Sequence, residues 1–219
     1  MRPGILFKLA WPEVRLIRKI WKGENSRKIT MIPYCQYVKN HPEDEYNRIY
    51  HDTEYGFPLE EDALLFERLI LEINQAGLSW ITILKKKDNF RRAYHAFDID
   101  RVAGYDQLER ERLLADAGII RNRLKINAAI ENAKQIQSLR MEYGSFKGWL
   151  DAHTFLSKLD WVNLFKQIFT FTGGEIVGEF LMSTGYLPGA HDPDCPVFQQ
   201  TAALKPAWIR SKHDQRVHI

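Results

Sequence analysis

The chain has 219 residues, 45% of them hydrophobic, enough to bury a sizeable core in one domain or in two small ones. No run approaches the roughly 18 apolar residues of a membrane span, since stretches such as residues 81–84 are broken at once by charge, so a soluble protein is expected. The net charge of +3 is unevenly spread: residues 1–30 carry eight Lys/Arg against two Asp/Glu, which is +6, leaving −3 for the remainder. Bulk charge therefore excludes nothing but a strongly basic main domain, and any acidic partner must be met there by local patches.

The first 30 residues, MRPGILFKLAWPEVRLIRKIWKGENSRKIT, have no uninterrupted apolar region and no small-residue cleavage site, which counts against a secretory signal. An amphipathic basic arm, a weak organelle-targeting segment and an over-long gene start with the true beginning at Met31 remain open, and the last is favoured. Cys35 and Cys195 are the only cysteines, too few for a disulfide framework, so a reducing, cytoplasmic setting is expected.

From Pro58 onward the pattern is helical nearly everywhere, with breaks at Gly77, Gly104, Gly118, Gly144 and the Gly173-Gly174 pair. WITIL at 80–84 and FTFTG at 169–173 look β-like but are short enough to be absorbed into helices or their ends. A mainly α fold of several short helices is predicted. The helix carrying LLFERLILEINQ should end at Gly77 with a left-handed cap, and Ser79 can cap a new helix from Trp80. Further on, a helix should stop near Gly118, turn tightly, and restart with Ile126, Ile130, Ala133 and Ile136 on one stripe, a helix-hairpin-helix shape. The stretch after about Leu204, KPAWIRSKHDQRVHI, is polar and unperiodic and reads as a loose basic tail, residues 205–219.

On a wheel of 3.6 residues per turn, Leu65, Leu69, Ile73 and Ala76 share one broad face and Leu64 and Leu71 another. Glu72 falls between them, so its carboxylate should be partly desolvated, which costs free energy unless a hydrogen bond or a cation compensates. One reading is an i,i+4 ion pair with Arg68. The other is a ligand-facing acid, since the turn to Trp80 brings an aromatic plane to the same helix end. A carboxylate beside aromatic planes suits a flat, cationic or amine-bearing ligand. Tyr50 and Tyr55 are further candidates for the walls, although each aromatic alone reads equally as core packing.

Cys35, His51, His191 and Cys195 supply two thiolates and two imidazoles, a complete tetrahedral donor set for zinc. Spacing alone leaves open that these are surface histidines and buried cysteines. If a metal is held, four protein ligands leave no open position, which makes it structural and not catalytic.

These stretches together resemble the 3-methyladenine DNA glycosylase I family of base-excision repair enzymes. The resemblance runs through YHDTEYGFP, LFERLILEINQAGLSWITILKKKDNFRRAYHAFD, DAGIIRNRLKI and FTFTGGEIVGEFLMSTGYLPGAHDPDC, about residues 33–198. It implies a helix-hairpin-helix glycosylase fold over residues 31–204, joined at its two ends by one structural zinc on Cys35, His51, His191 and Cys195. It also implies Glu72 as the base-recognising and catalytic residue and Tyr50, Trp80 and Tyr55 as base-binding aromatics. Gly77 and Leu78 become the wedge that fills the gap of the extruded nucleotide, and the hairpin with Gly118, Arg121 and Arg123 becomes the grip on the DNA backbone. Lys85, Lys86, Lys87, Arg91, Arg92 and Lys125 are further candidates for phosphate contacts, against the plainer reading of solvated helix faces.

The implied activity is hydrolytic: a monofunctional DNA glycosylase that flips 3-methyladenine out of alkylated double-stranded DNA and excises it, acting as a monomer away from membranes. A non-catalytic, zinc-stabilised damage-binding protein of the same fold is the alternative from another class, and a related enzyme with a different lesion is a third. The chain departs from the family pattern at Tyr37 and Tyr55, where tryptophan is common, at LEIN, and at Glu175 and Glu179, where small or hydroxyl residues are usual. The connection before His191 is also a residue longer. These departures bear on substrate breadth and DNA contacts.

Overall fold

The computed structural model describes residues 33–210; the basic N-terminal stretch and the end of the tail, residues 211–219, lie outside it. Twelve α-helices and one short 3-10 turn (His95–Phe97) follow one another, with no strand among the described residues. In chain order they are α1 (Tyr34–Asn40), α2 (Glu45–Thr53), α3 (Asp62–Gln75), α4 (Trp80–Leu84), α5 (Lys87–Ala93), α6 (Ile99–Ala103), α7 (Gln107–Ala115), α8 (Arg123–Tyr143), α9 (Phe146–Ala152), α10 (Lys158–Ile168), α11 (Gly174–Ser183) and α12 (Pro196–Ala203). WITIL is α4, and FTFTG is the non-helical connection between α10 and α11, so both β-like runs are absorbed as expected. No described helix is long and apolar enough to cross a membrane.

Helix α3 runs through the core of the described residues. It is wrapped on every side, burying Leu65, Phe66, Leu69, Ile70, Leu71 and Ile73 together with the polar Glu67, Arg68, Glu72 and Asn74. Its first residue, Asp62, accepts the backbone N–H groups of Phe146 and Lys147 at 2.9 and 3.0 Å and the Arg140 guanidinium at 2.8 Å. One carboxylate thus caps the start of α9 and ties it, through the end of α8, to α3. Packed against α3 are the α8 stripe Ile126, Ala129, Ile130, Ala133 and Ile136 and an aromatic block of Phe146, Trp149, Trp161, Phe165 and Phe180, all essentially fully buried.

The far end of α3 is closed by two devices. Gly77 takes φ +84°, which any side chain would resist although the space around it is open. Lys125, on the first turn of α8, then buries its ammonium and donates to the carbonyls of Asn74 (2.8 Å) and Ala76 (2.7 Å), leaving only 5% of the residue exposed. The predicted restart at Trp80 is correct, but Ser79 bonds the Thr82 hydroxyl at 2.7 Å and caps no backbone N–H with its side chain.

Between α7 and α8 the chain makes the expected hairpin: Asp106 caps α7, and Asn122 accepts from the N–H groups of Leu124 and Lys125 at the start of α8. Past Leu204, where the sequence pattern loses its periodicity, the packed chain continues at least to Arg210. Pro206 and Ala207 are buried and the Trp208 N–H reaches the Gly185 carbonyl at 3.3 Å, so apolar contact, not periodicity, sets that boundary.

Candidate functional site: a buried carboxylate pocket beside a four-donor metal cluster

The four predicted ligands, drawn from opposite ends of the chain, converge: the donor atoms of Cys35, His51, His191 and Cys195 lie within 4.8 Å of one another. The neighbours select which atoms face inward. His51 directs Nδ1 to the Asp52 carboxylate (2.8 Å), leaving Nε2 3.7 Å from the Cys195 sulfur. His191 directs Nε2 to the Tyr55 carbonyl (2.7 Å), leaving Nδ1 3.7 Å from the Cys35 sulfur and 3.9 Å from that of Cys195. Outer partners that fix each imidazole in this way are what metal-binding histidines normally carry. Tetrahedral bonds of about 2.0–2.3 Å place neighbouring donors roughly 3.5–3.8 Å apart, close to the separations found. Burial pushes the Cys35 thiol up, and the Asp192 N–H, donating to its sulfur at 3.4 Å, works against that rise. The cluster can hold a metal ion, and a surface cleft of about 750 Å³ opens over Cys35, His51 and Cys195.

Tyr55 is the wall shared with the second site. Its ring stands 5.8 Å from that of His191 on one side and 5.7 Å from Tyr50 on the other. Tyr50 in turn meets Trp80 edge-on at 5.0 Å. The predicted aromatics are therefore together, because α2, the turn after it and the start of α4 converge on the last turns of α3. Trp80 presents a buried indole N–H that has no hydrogen-bond partner among the described residues. Such a donor is expected to meet an acceptor once the site is filled.

Glu72 lies within this group, 5% exposed. It makes no hydrogen bond and no ion pair among the described residues, so the Arg68 pairing suggested by helical spacing does not form. Arg68 donates instead to the Tyr50 hydroxyl (2.9 Å) and the Ser183 carbonyl (3.3 Å) and pairs with Glu54 (3.3 Å), which also holds Lys87. A carboxylate from beyond α2 thus outcompetes the one a turn away. Burial pushes the Glu72 carboxyl up to about 8, with the Arg68 charge pulling the other way and Glu179 adding to the rise. A buried acid with a strongly raised pKa and no partner is a candidate functional residue.

Of the predicted DNA contacts, Arg121 and Arg123 are exposed and unpaired among the described residues, flanking the N-terminus of α8. Gly118 is half-buried, its carbonyl accepting from Lys86 and Asn89. Leu78 packs partly on the core and Gly77 is exposed at the turn beside Trp80. Several basic candidates are otherwise occupied: Lys125 caps α3, Lys87 holds Glu54, Arg91 holds Glu67 at 2.9 Å and Arg92 holds Asn89. For Lys87, Arg91 and Lys125 only a long-range partner distinguishes them from free cations, and spacing along the chain carries no such signal. Asp52 and Glu179 are the functional neighbours that sequence reasoning leaves without a role; Asp52 directly follows the ligand His51, which is its one visible cue.

The methyladenine glycosylase family model matches residues 40–168, more than half of the chain. The chain belongs to this family. It is 33% identical over 166 residues to the DNA-3-methyladenine glycosylase of Haemophilus influenzae, covering 67% of this chain and 89% of that protein. With DNA-3-methyladenine glycosylase 1 of Escherichia coli it shares 53% identity over 85 residues, a match spanning 39% of this chain and 46% of the relative's length. The glycosylase fold is similar to that of 3-methyladenine DNA glycosylase I from Staphylococcus aureus, with a TM-score of 0.66 at 30% identity over 71% of this chain and 92% of the other. A 3-methyladenine DNA glycosylase I variant solved with 3-methyladenine bound gives the same TM-score and identity over 71% and 93% of the two chains.

Proposed function

We propose that the protein is a monofunctional DNA glycosylase that excises 3-methyladenine from alkylated duplex DNA, the first step of base-excision repair. The observation that carries this reading is Glu72: a buried, unpartnered carboxylate within electrostatic range of Tyr50 and Tyr55, the first of which meets Trp80, in a chain of the methyladenine glycosylase family.

Methylation at N3 gives the adenine of a nucleotide a positive charge, so the base is already a good leaving group. The enzyme needs selective grip more than acid catalysis. Flipping the nucleotide costs a few kcal/mol, less at a damaged pair. Trp80 and Tyr50 then offer ring faces and edges to a cationic purine, Tyr55 closes the wall, and Glu72 accepts hydrogen bonds from its N–H groups while offsetting its charge. The C1′–N9 bond breaks with its electron pair passing to the purine, which leaves neutral. Water adds its oxygen to C1′ and releases a proton, and Glu72 stabilises the sugar cation as it develops.

Gly77 and Leu78, at the exposed turn beside Trp80, would fill the gap left in the stack. The hairpin at Gly118, with Arg121, Arg123 and the start of α8, would hold the phosphate backbone of a single enzyme molecule's duplex. Zinc suits the Cys35, His51, His191 and Cys195 cluster by donor type and number; with all four positions taken by protein it would clamp the chain ends together and support the Tyr55 wall, without entering the chemistry.

Chromatography of bases released from alkylated DNA tests the reading. The wild-type protein should release 3-methyladenine, and Glu72→Gln should lower the rate by about 100-fold or more. Wild-type-like release by that variant would remove Glu72 from the site; tight binding to damaged and abasic duplex with no base released would select the non-catalytic alternative.

A further inference from the structure

Helix α11 contributes a second carboxylate to the same pocket. The Tyr55 hydroxyl donates to Glu179 Oε2 at 3.1 Å, so the half-buried Glu179 is held against the aromatic wall. Its position follows from a register between two helices. On α3, Arg68 and Glu72 are one turn apart; on α11, Ser183 and Glu179 are one turn apart. Arg68 bonds the Ser183 carbonyl at 3.3 Å, and one turn further on Glu72 and Glu179 come within electrostatic range of each other. The remaining charges close to Glu179 are Glu175, a turn away and exposed, and Lys158.

The charges around the aromatic wall can be counted. Burial keeps Glu72 protonated below about pH 8 in the empty site, so Glu54 and Glu179 there balance Arg68 and Lys87; a bound cation that draws off the Glu72 proton leaves a single net negative charge. Without Glu179 the two counts are one positive and zero. Glu179 raises the cost of ionising Glu72, and a ligand cation set between the two carboxylates relieves it.

We propose that Glu179 is a specificity-determining residue of the base pocket, giving it the net charge that selects a monocationic purine over a neutral one of the same shape. The inference rests on the base-pocket reading above and adds to it a residue and a selection rule. Hydrogen bonding to Tyr55 alone would leave Glu179 as a support for the wall, indifferent to ligand charge, and the two roles separate in Glu179→Gln, whose amide oxygen can still accept from Tyr55 while the charge is gone.

The test uses the full chain and two probes, the 3,9-dimethyladeninium cation and neutral 9-methyladenine, with binding followed by tryptophan fluorescence. Glu179→Gln should weaken the cation about tenfold or more, the scale of one unit charge across a partly screened site, and leave the neutral probe within about twofold. Glu179→Asp, which keeps the charge, should retain most of the preference, and Glu179→Ser should lose it as Gln does. Thermal unfolding confirms that each variant is folded. An unchanged cation-to-neutral ratio in Gln and Ser variants overturns the proposal, as does an equal loss for both probes. Wild-type protein that neither releases 3-methyladenine nor binds the cation would overturn the pocket reading itself; wild-type release with an unchanged ratio in Glu179→Gln overturns only the role of Glu179.

Discussion

Replacing Glu72 with Gln should raise stability while abolishing base release, and the gain should grow with pH. Burial lifts the Glu72 carboxyl from an ordinary 4.5 to about 8. Between those values the native state binds more protons than the unfolded chain, so stability falls as pH rises through the window, and the loss is complete above about pH 8. A rise of this size corresponds to about 3–5 kcal/mol at roughly 1.4 kcal/mol per pH unit. Glutamine is uncharged throughout and escapes the penalty. At pH 5 the two proteins should differ by less than about 1 kcal/mol; at pH 9 the variant should melt roughly 6–20 °C higher, at about 2–4 °C per kcal/mol for a chain of this size. The metal cluster is common to both proteins and drops out of the comparison. Thermal or urea unfolding at pH 5, 7 and 9 supplies the measurement. A stability difference that does not change with pH would refute the desolvated-carboxylate account of Glu72.

Further substitutions probe the remaining elements. Metal analysis should find one zinc per wild-type chain and none in Cys35→Ser, whose melting temperature should fall by at least about 6 °C; a wild-type protein free of zinc would defeat the clamp. Lys125→Met should cost about 2–3 kcal/mol in urea unfolding, because two buried carbonyls lose their donor, without altering the salt dependence of DNA binding. Arg121→Ala and Arg123→Ala should do the reverse: stability within about 0.5 kcal/mol, and a slope of log affinity against log salt shallower by about 0.9 for each phosphate no longer neutralised. Arg68→Met should destabilise by about 2–4 kcal/mol and raise KM for alkylated DNA more than it lowers kcat, since the Tyr50 hydroxyl loses its anchor; an unchanged KM would show that Tyr50 needs none.

Much of this is readable from the chain. Helical periodicity locates α3 and the α8 stripe, the glycine at 77 and the hairpin near 118 mark their ends, and donor chemistry singles out the four residues whose donor atoms converge. Glu72 is conspicuous because a carboxylate between two apolar faces has no local reason to be there. What periodicity does not supply is competition between partners far apart in sequence. Arg68 looks like the natural mate of Glu72, yet Glu54 is preferred because it reaches the guanidinium together with Tyr50 and Ser183. Lys125 resembles any basic residue opening a helix, and only the carbonyls left open at the end of α3 draw it inside. Glu179 stands out as a departure from the family pattern, but its orientation depends on how α11 is registered against α3, which no local spacing records.

The buried Lys125 has a mechanical side as well. It begins the helix that follows the hairpin, and it grips the carbonyls at the end of the helix that bears Glu72. The part that would hold the phosphate backbone and the part that would receive the base are thereby joined by one short strut, like the jaws of a caliper set to a single opening. A duplex seated at the hairpin would meet the pocket at a preset span, so the DNA would have to yield its shape to the protein, and undamaged, well-stacked steps that resist bending would be refused before any base is read.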